Sequence, residues 1–134
     1  MAGPVVVDPS APSRPRPNFG TATAADIPAF LGVMQVLHQE PNSAAFSRLL
    51  SGRLQEQDYI PLAHLFEEIS TLAVHGLISE DLLFDAFAFD LYWEHFREHI
   101  ERLRSETGNA KFCENFETAA NAARQYRDLR PAKR

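Results

Sequence analysis

The sequence predicts an all-α fold, a bundle of about five helices. Apolar residues recur along most of the chain at alternating spacings of three and four, which is the period of a buried helix face. The longest such stretch covers residues 79–107 and predicts a long central helix. No strand-like alternation of useful length accompanies it. The seam of the central helix comprises Leu82, Ala86, Phe89, Trp93, Phe96, Ile100 and Leu103.

Four further helices are expected around the central one, at about residues 24–38, 43–54, 61–75 and 110–129. Each carries an apolar stripe at helical spacing, so each has one face to bury against a neighbour. The last of these is rich in alanine, and small side chains allow close packing against the second half of the central helix. That half is amphipathic and needs cover from this helix or from a second subunit.

Residues at the predicted helix ends support these boundaries. Thr23 suits the N-cap of the first helix and Ser79 that of the central one. Gly76 is placed to adopt the left-handed conformation that ends the third helix, and Leu77 to fold back as its hydrophobic contact. The pair of residues 108–109, Gly-Asn, predicts the return turn before the last helix.

The chain is expected to divide into a disordered tail at residues 1–22, a helical domain at 23–130 and a basic tip at 131–134. The tail carries five of the nine prolines and buries too little apolar surface to offset its ordering entropy. Within it, residues 13–17 read SRPRP. That stretch is typical of a flexible tail or of a ligand for a proline-recognising domain, and both interpretations stay open.

Composition excludes several classes of protein. The formal net charge is −5, and acidic residues predominate between residues 56 and 117, which argues against a nucleic-acid binder. No apolar run reaches the length of a membrane span, and the N-terminus lacks the features of a signal peptide. We therefore expect a cytoplasmic protein. The single Cys113 excludes an internal disulfide and is expected to be a small buried hydrophobe.

No metal or cofactor is predicted. A di-iron bundle requires a Glu three residues before a His on two helices, and this chain has no such pair. His95 and His99 have a spacing that can bind zinc, but helix geometry turns them away from the apolar seam, so solvated histidines are expected. Glycine-rich phosphate loops and catalytic triad signatures are also absent from the sequence.

Four carboxylates are candidates for acid-base chemistry: Glu67, Glu68, Asp85 and Asp90. The two aspartates lie close to an otherwise apolar helix face, and such an environment shifts the pKa of a carboxyl group. The same positions suit a structural partner for an Arg, a Tyr hydroxyl or a helix end.

Several short motifs resemble a known family. Residues 66–69 read FEEI, residues 76–82 GLISEDL, residues 92–94 YWE, and residues 108–117 GNAKFCENFE. Over residues 24–126 these motifs resemble the bacterial domain-of-unknown-function family 4760. The resemblance implies an α-helical domain and supplies no activity. Many relatives carry an N-terminal membrane helix, where this chain has a proline-rich tail.

The matched positions indicate a candidate partner or ligand surface. It comprises Phe66, Glu67, Trp93, Asn115 and Glu117. Whether Trp93 belongs to such a surface or only to the core is left open by the sequence.

Two functions are consistent with these observations. The first is a non-catalytic interaction, accessory or regulatory module that binds a protein partner or a second copy of itself, because the apolar seam exceeds what short helices cover and no catalytic constellation is present. The alternative is a small helical enzyme or ligand-binding protein whose aromatic pocket is edged by the four carboxylates above.

Overall fold

The computed structural model describes residues 19–129, and these form six α-helices and two short 3-10 segments. The helices are α1 (Ile27–His38), α2 (Asn42–Leu50), α3 (Tyr59–Val74), α4 (Glu80–Ala86), α5 (Phe89–Thr107) and α6 (Glu114–Leu129), and the 3-10 segments are Ala24–Asp26 and Glu56–Asp58. This part of the chain contains no β-strand, so the predicted all-α fold is confirmed. The predictions for residues 1–18 and for the basic tip lie outside the described residues.

The turn between α3 and α4 is the one that the sequence predicts. Gly76 adopts a φ of 72°, in the left-handed region. Its N–H donates to the Ala73 carbonyl at 3.1 Å and the Leu77 N–H donates to the Leu72 carbonyl at 2.8 Å, which together form a Schellman motif. The Ser79 side chain then caps the first turn of α4. The Leu77 side chain is 64% exposed, so it buries little apolar surface at this turn.

The predicted continuous helix over residues 79–107 is interrupted at Phe87 and Ala88, which we call the elbow. Phe87 is extended, with φ −133° and ψ 130°, and Ala88 has φ −87° and ψ 67°. No Pro or Gly stands there to break a helix. Instead the Phe87 ring packs against Phe30 of α1 and Phe46 of α2, with centroids 6.3 and 6.2 Å away. Aromatic packing against the α1–α2 hairpin accompanies the interruption of the helix.

The elbow changes which residues of the predicted seam are buried. Ala86 is exposed and Leu82 is only half-buried, whereas their neighbours Leu83 and Phe84 are buried. The prediction is therefore wrong for the first two seam positions. Beyond the elbow it is confirmed at the four positions Phe89, Trp93, Phe96 and Ile100, all of which are buried, whereas the last position, Leu103, is half-buried.

The core lies where α6 packs along α3 and α5, with α4 against its C-terminal half. Phe66 of α3 is fully buried at its centre. The rings around it belong to Phe46, Phe89, Tyr92, Phe96 and Phe116. Buried alanines on α6 allow this close packing, and they are Ala119, Ala120, Ala122 and Ala123. The apolar seam of α5 is thus covered within one chain.

The packed part of the molecule starts earlier than the sequence predicts. Phe19, inside the predicted disordered tail, lies in T-shaped contact with Tyr126 at a centroid distance of 5.1 Å. Its ring is also 6.5 Å from that of Phe84. The Gly20 N–H donates to the Asp81 carboxylate. These contacts join Phe19 and Gly20 to α4 and α6.

Candidate functional site

The first helical turn of α6 depends on a side chain from α3. The first N–H groups of a helix have no partner within the helix and need acceptors from elsewhere. One Glu67 oxygen accepts the Phe116 N–H at 2.8 Å, and the other accepts Asn115 Nδ2 at 2.9 Å. Asn115 also donates to the Thr71 hydroxyl at 3.2 Å. Glu67 therefore caps α6 from a neighbouring helix, where its negative charge also favours the positive end of the helix dipole.

Arg104 of α5 also binds the start of α6 and the turn before it. Its Nε donates to the Phe112 carbonyl at 2.8 Å, and its Nη1 lies 2.8 Å from Glu117 Oε1. The guanidinium carbon stands 5.9 Å from the centroid of the Trp93 ring, within the range of a cation–π contact. Sequence reasoning missed Arg104 as part of this cluster.

The five residues predicted as a partner surface do lie together, around the first turn of α6. Phe66 is 0% and Trp93 4% exposed, so the structure corrects the prediction for these two: they belong to the core. Glu67, Asn115 and Glu117 are half-buried and take part in the capping network described above. The observed contacts of this cluster join the start of α6 to α3 and α5.

Cys113 immediately precedes α6 and has a φ of 58°, in the left-handed region that few residues other than glycine adopt. Its thiol is buried and donates to the Ala63 carbonyl at 3.9 Å. Burial, reinforced by the nearby Glu67 carboxylate, raises the pKa of the Cys113 thiol to about 12. The prediction of a small buried hydrophobe is confirmed, since a thiol with this pKa stays protonated at neutral pH.

A cleft of about 750 Å³ opens beside the elbow, between α4, α5 and the C-terminal half of α6. We call it the elbow cleft. Its walls are aromatic and its charged groups are three carboxylates and one guanidinium. The aromatic side chains are Phe84, Phe87, Tyr92 and Tyr126, and the charged ones are Asp85, Asp90, Asp128 and Arg127.

Hydrogen bonds fix two of the carboxylates in the elbow cleft. The buried Asp90 accepts from Arg127 Nη2 at 2.8 Å, which neutralises its charge. The exposed Asp85 accepts the Tyr126 hydroxyl at 3.2 Å. Burial raises the pKa of the Tyr92 hydroxyl, so this ring remains neutral at physiological pH. The cleft therefore places the half-buried Phe87 ring beside negative charge at its rim, which suits a cationic guest. The other three aromatic rings of its walls are buried.

The four carboxylates proposed for acid-base chemistry do not form one site. Glu67 caps α6 and Glu68 is exposed on α3, whereas Asp85 and Asp90 share the elbow cleft. Arg127 completes the cleft, yet it lies 37 positions along the chain from Asp90. No local spacing could have connected them, so the sequence did not reveal this pair.

Between residues 19 and 129, no group of three or more His, Cys, Asp or Glu residues could hold a metal ion. His95 is exposed, and the His99 ring stacks on Tyr59 with centroids 3.8 Å apart. In the same stretch, every helix is too short or too polar to cross a membrane.

The fold and the site define a small helical-bundle domain with a capped final helix and an aromatic cleft at a broken helix. A family model described as Domain of unknown function (DUF4760) matches residues 23–123. The chain therefore belongs to that family, as the sequence motifs predict. The match includes the elbow and the Glu67 network and ends before Tyr126 and Arg127. No curated protein and no solved structure matches the chain.

Proposed function

We propose that this domain is a non-catalytic interaction module, and that the elbow cleft is the surface with which it binds a segment of a protein. The observation that carries the proposal is the cleft itself: aromatic walls with the exposed carboxylates Asp85 and Asp128 at the rim. Aromatic grooves bordered by negative charge suit segments that pair an apolar group with an Arg or Lys.

The contacts of the candidate catalytic groups favour binding over catalysis. A catalytic carboxylate needs access to substrate, but both Glu67 oxygens accept hydrogen bonds at the start of α6. Asp90 is buried and its carboxylate is hydrogen-bonded to Arg127 at 2.8 Å, so it is not open to a substrate. The observed contacts of Glu67 and Asp90 are thus structural ones.

Affinity capture with matched variants tests the proposal. The double variant Asp85→Asn with Asp128→Asn removes two rim charges and keeps an acceptor for the Tyr126 hydroxyl. The control is Glu98→Gln with Glu101→Gln, which removes two exposed charges from α5 outside the cleft. We expect a binding protein to be lost with the cleft variant and kept with the control. Equal recovery with both would refute the cleft as the binding surface.

Self-association is a separate question, since the partner in the cleft can be another protein or a second copy. Light scattering across a dilution series of the wild type and the cleft variant distinguishes the two. A dimer that dissociates only in the cleft variant identifies a second copy as the partner.

The cleft also supports a second candidate, binding of a small flat ligand against the half-buried Phe87 ring. A thermal-shift screen of metabolites on the full chain tests it. A hit should raise the melting temperature of the wild type and of the Glu98 and Glu101 control. A compound that raises the melting temperature of a Phe87→Ala variant as much as that of the wild type does not bind in the elbow cleft.

A further inference from the structure

We propose that the Arg-Pro segment of this chain, residues 13–17 (SRPRP), binds in the elbow cleft of the same molecule and competes there with an outside partner. This inference rests on the proposed function of the cleft as a peptide-binding surface. It adds the identity of one occupant and a means of regulation.

The chain is anchored at the edge of the cleft directly after this segment. Phe19 contacts Tyr126 and Phe84, and both of these side chains line the cleft. The next residue, Gly20, donates its N–H to the Asp81 carboxylate. Arg16 stands three positions before Phe19, so an extended chain places it at most about 10 Å away, and Arg14 at most about 17 Å away. Both arginines are thus within reach of the cleft.

Charge complementarity favours this occupant. The cleft has three carboxylates and one guanidinium, so Asp85 and Asp128 remain as negative charge once Asp90 is paired with Arg127. The segment brings two positive charges and no negative one. Its attachment to the domain holds it near the cleft at high effective concentration, which compensates for the modest strength of exposed ion pairs.

The chemistry of the walls also fits the segment. Proline at positions 15 and 17 restricts the backbone toward the polyproline II conformation, so little entropy is lost on binding. Aromatic-lined grooves are the usual receptors for such segments. Arg side chains stack on aromatic faces, and the half-buried Phe87 ring lies beside the carboxylates in the cleft.

Paramagnetic relaxation in the full chain tests the inference. A nitroxide on a Ser13→Cys variant labels one site only, because the Cys113 thiol is buried and has a pKa of about 12. We expect the amide signals of Ala86, Phe87 and Arg127 to be lost in the labelled, oxidised protein and to return on reduction of the nitroxide. The amide of Glu98 on α5 should keep its intensity.

Two variants complete the test. Arg14→Glu with Arg16→Glu, in the labelled chain, should restore the cleft signals, and high salt should restore part of them. The same charge reversal in the unlabelled chain should increase recovery of a partner that is captured through Asp85 and Asp128.

Broadening spread evenly over the surface, or broadening at the cleft that survives the charge reversal, would overturn the inference. If the label shows no contact with the cleft while a partner is still captured through Asp85 and Asp128, this inference fails and the proposed function stands. If no partner depends on these carboxylates but the label lies in the cleft, the proposed function fails instead.

Discussion

Glu67 offers the sharpest test of how this fold is held together. Its carboxylate accepts two hydrogen bonds, from the Phe116 N–H at 2.8 Å and from Asn115 at 2.9 Å. Hydrogen bonds to a charged group contribute about 1.5–3 kcal/mol each, and they are not additive. Because Glu67 is half-buried and water can replace part of what it provides, we expect Glu67→Ala to lower the free energy of unfolding by about 2–3 kcal/mol. That is a large part of a typical domain's stability.

Two companion variants separate the cap from general effects of removing a charge. Glu67→Gln keeps an oxygen for the Phe116 N–H but presents an NH2 group to Asn115, so a loss of about 1 kcal/mol is expected. Glu68→Ala removes the exposed neighbouring carboxylate and should change the free energy of unfolding by less than about 0.5 kcal/mol.

Urea unfolding followed by far-UV circular dichroism measures all three variants, and hydrogen exchange at the Phe116 amide reports on the cap directly. The amide should exchange faster in Glu67→Ala than in Glu68→Ala. A Glu67→Ala protein as stable as Glu68→Ala, with Phe116 equally protected, would show that α6 does not need this cap.

Three more predictions concern single side chains outside the α6 cap. Hydrogen bonds from Arg48 hold the pKa of the buried Asp58 carboxyl below its usual range, so the stability they provide is present above about pH 4 and is lost as the pH falls through the lower, folded-state pKa. The urea midpoints of the wild type and of Asp58→Asn should therefore differ at pH 7 and converge toward pH 2. A difference between the two midpoints that does not change with pH would contradict this. Phe19→Ala should lower the free energy of unfolding by about 1 kcal/mol and speed hydrogen exchange of the Gly20 amide, since a ring pair such as that with Tyr126 contributes about 0.5–1.5 kcal/mol. An unchanged urea midpoint would show that Phe19 does not stabilise the fold. A thiol-reactive dye at pH 8 should leave Cys113 unmodified in the native protein and label it in denaturant, because the buried thiol has a pKa of about 12; rapid native labelling would disprove its burial.

Helix positions were predictable where local signals are strong. Periodicity locates the four predicted helices around the central one to within a few residues, and the Gly76 turn follows from the need for a left-handed residue after α3. The burial of Phe96 and Ile100 follows from the same spacing. These features depend on residues close in the chain, so a single sequence contains them.

The candidate site was less predictable, because its parts come from distant positions. The sequence places Asp85 and Asp90 near an apolar face, but their partners Tyr126 and Arg127 are 41 and 37 positions away. The Phe19 contact was missed because a lone aromatic residue after a proline-rich stretch has no periodicity to interpret.

The sequence by itself determined the helical class, the family and most helix boundaries, since these follow from side-chain period, caps and local motifs. The tertiary structure decided the elbow at Phe87, which has no Pro or Gly to mark it and which packs its ring against Phe30 and Phe46. It also decided that Trp93 is core, because the approach of α6 and Arg104 covers the ring. Contacts between distant segments set both outcomes, and local spacing carries no record of them.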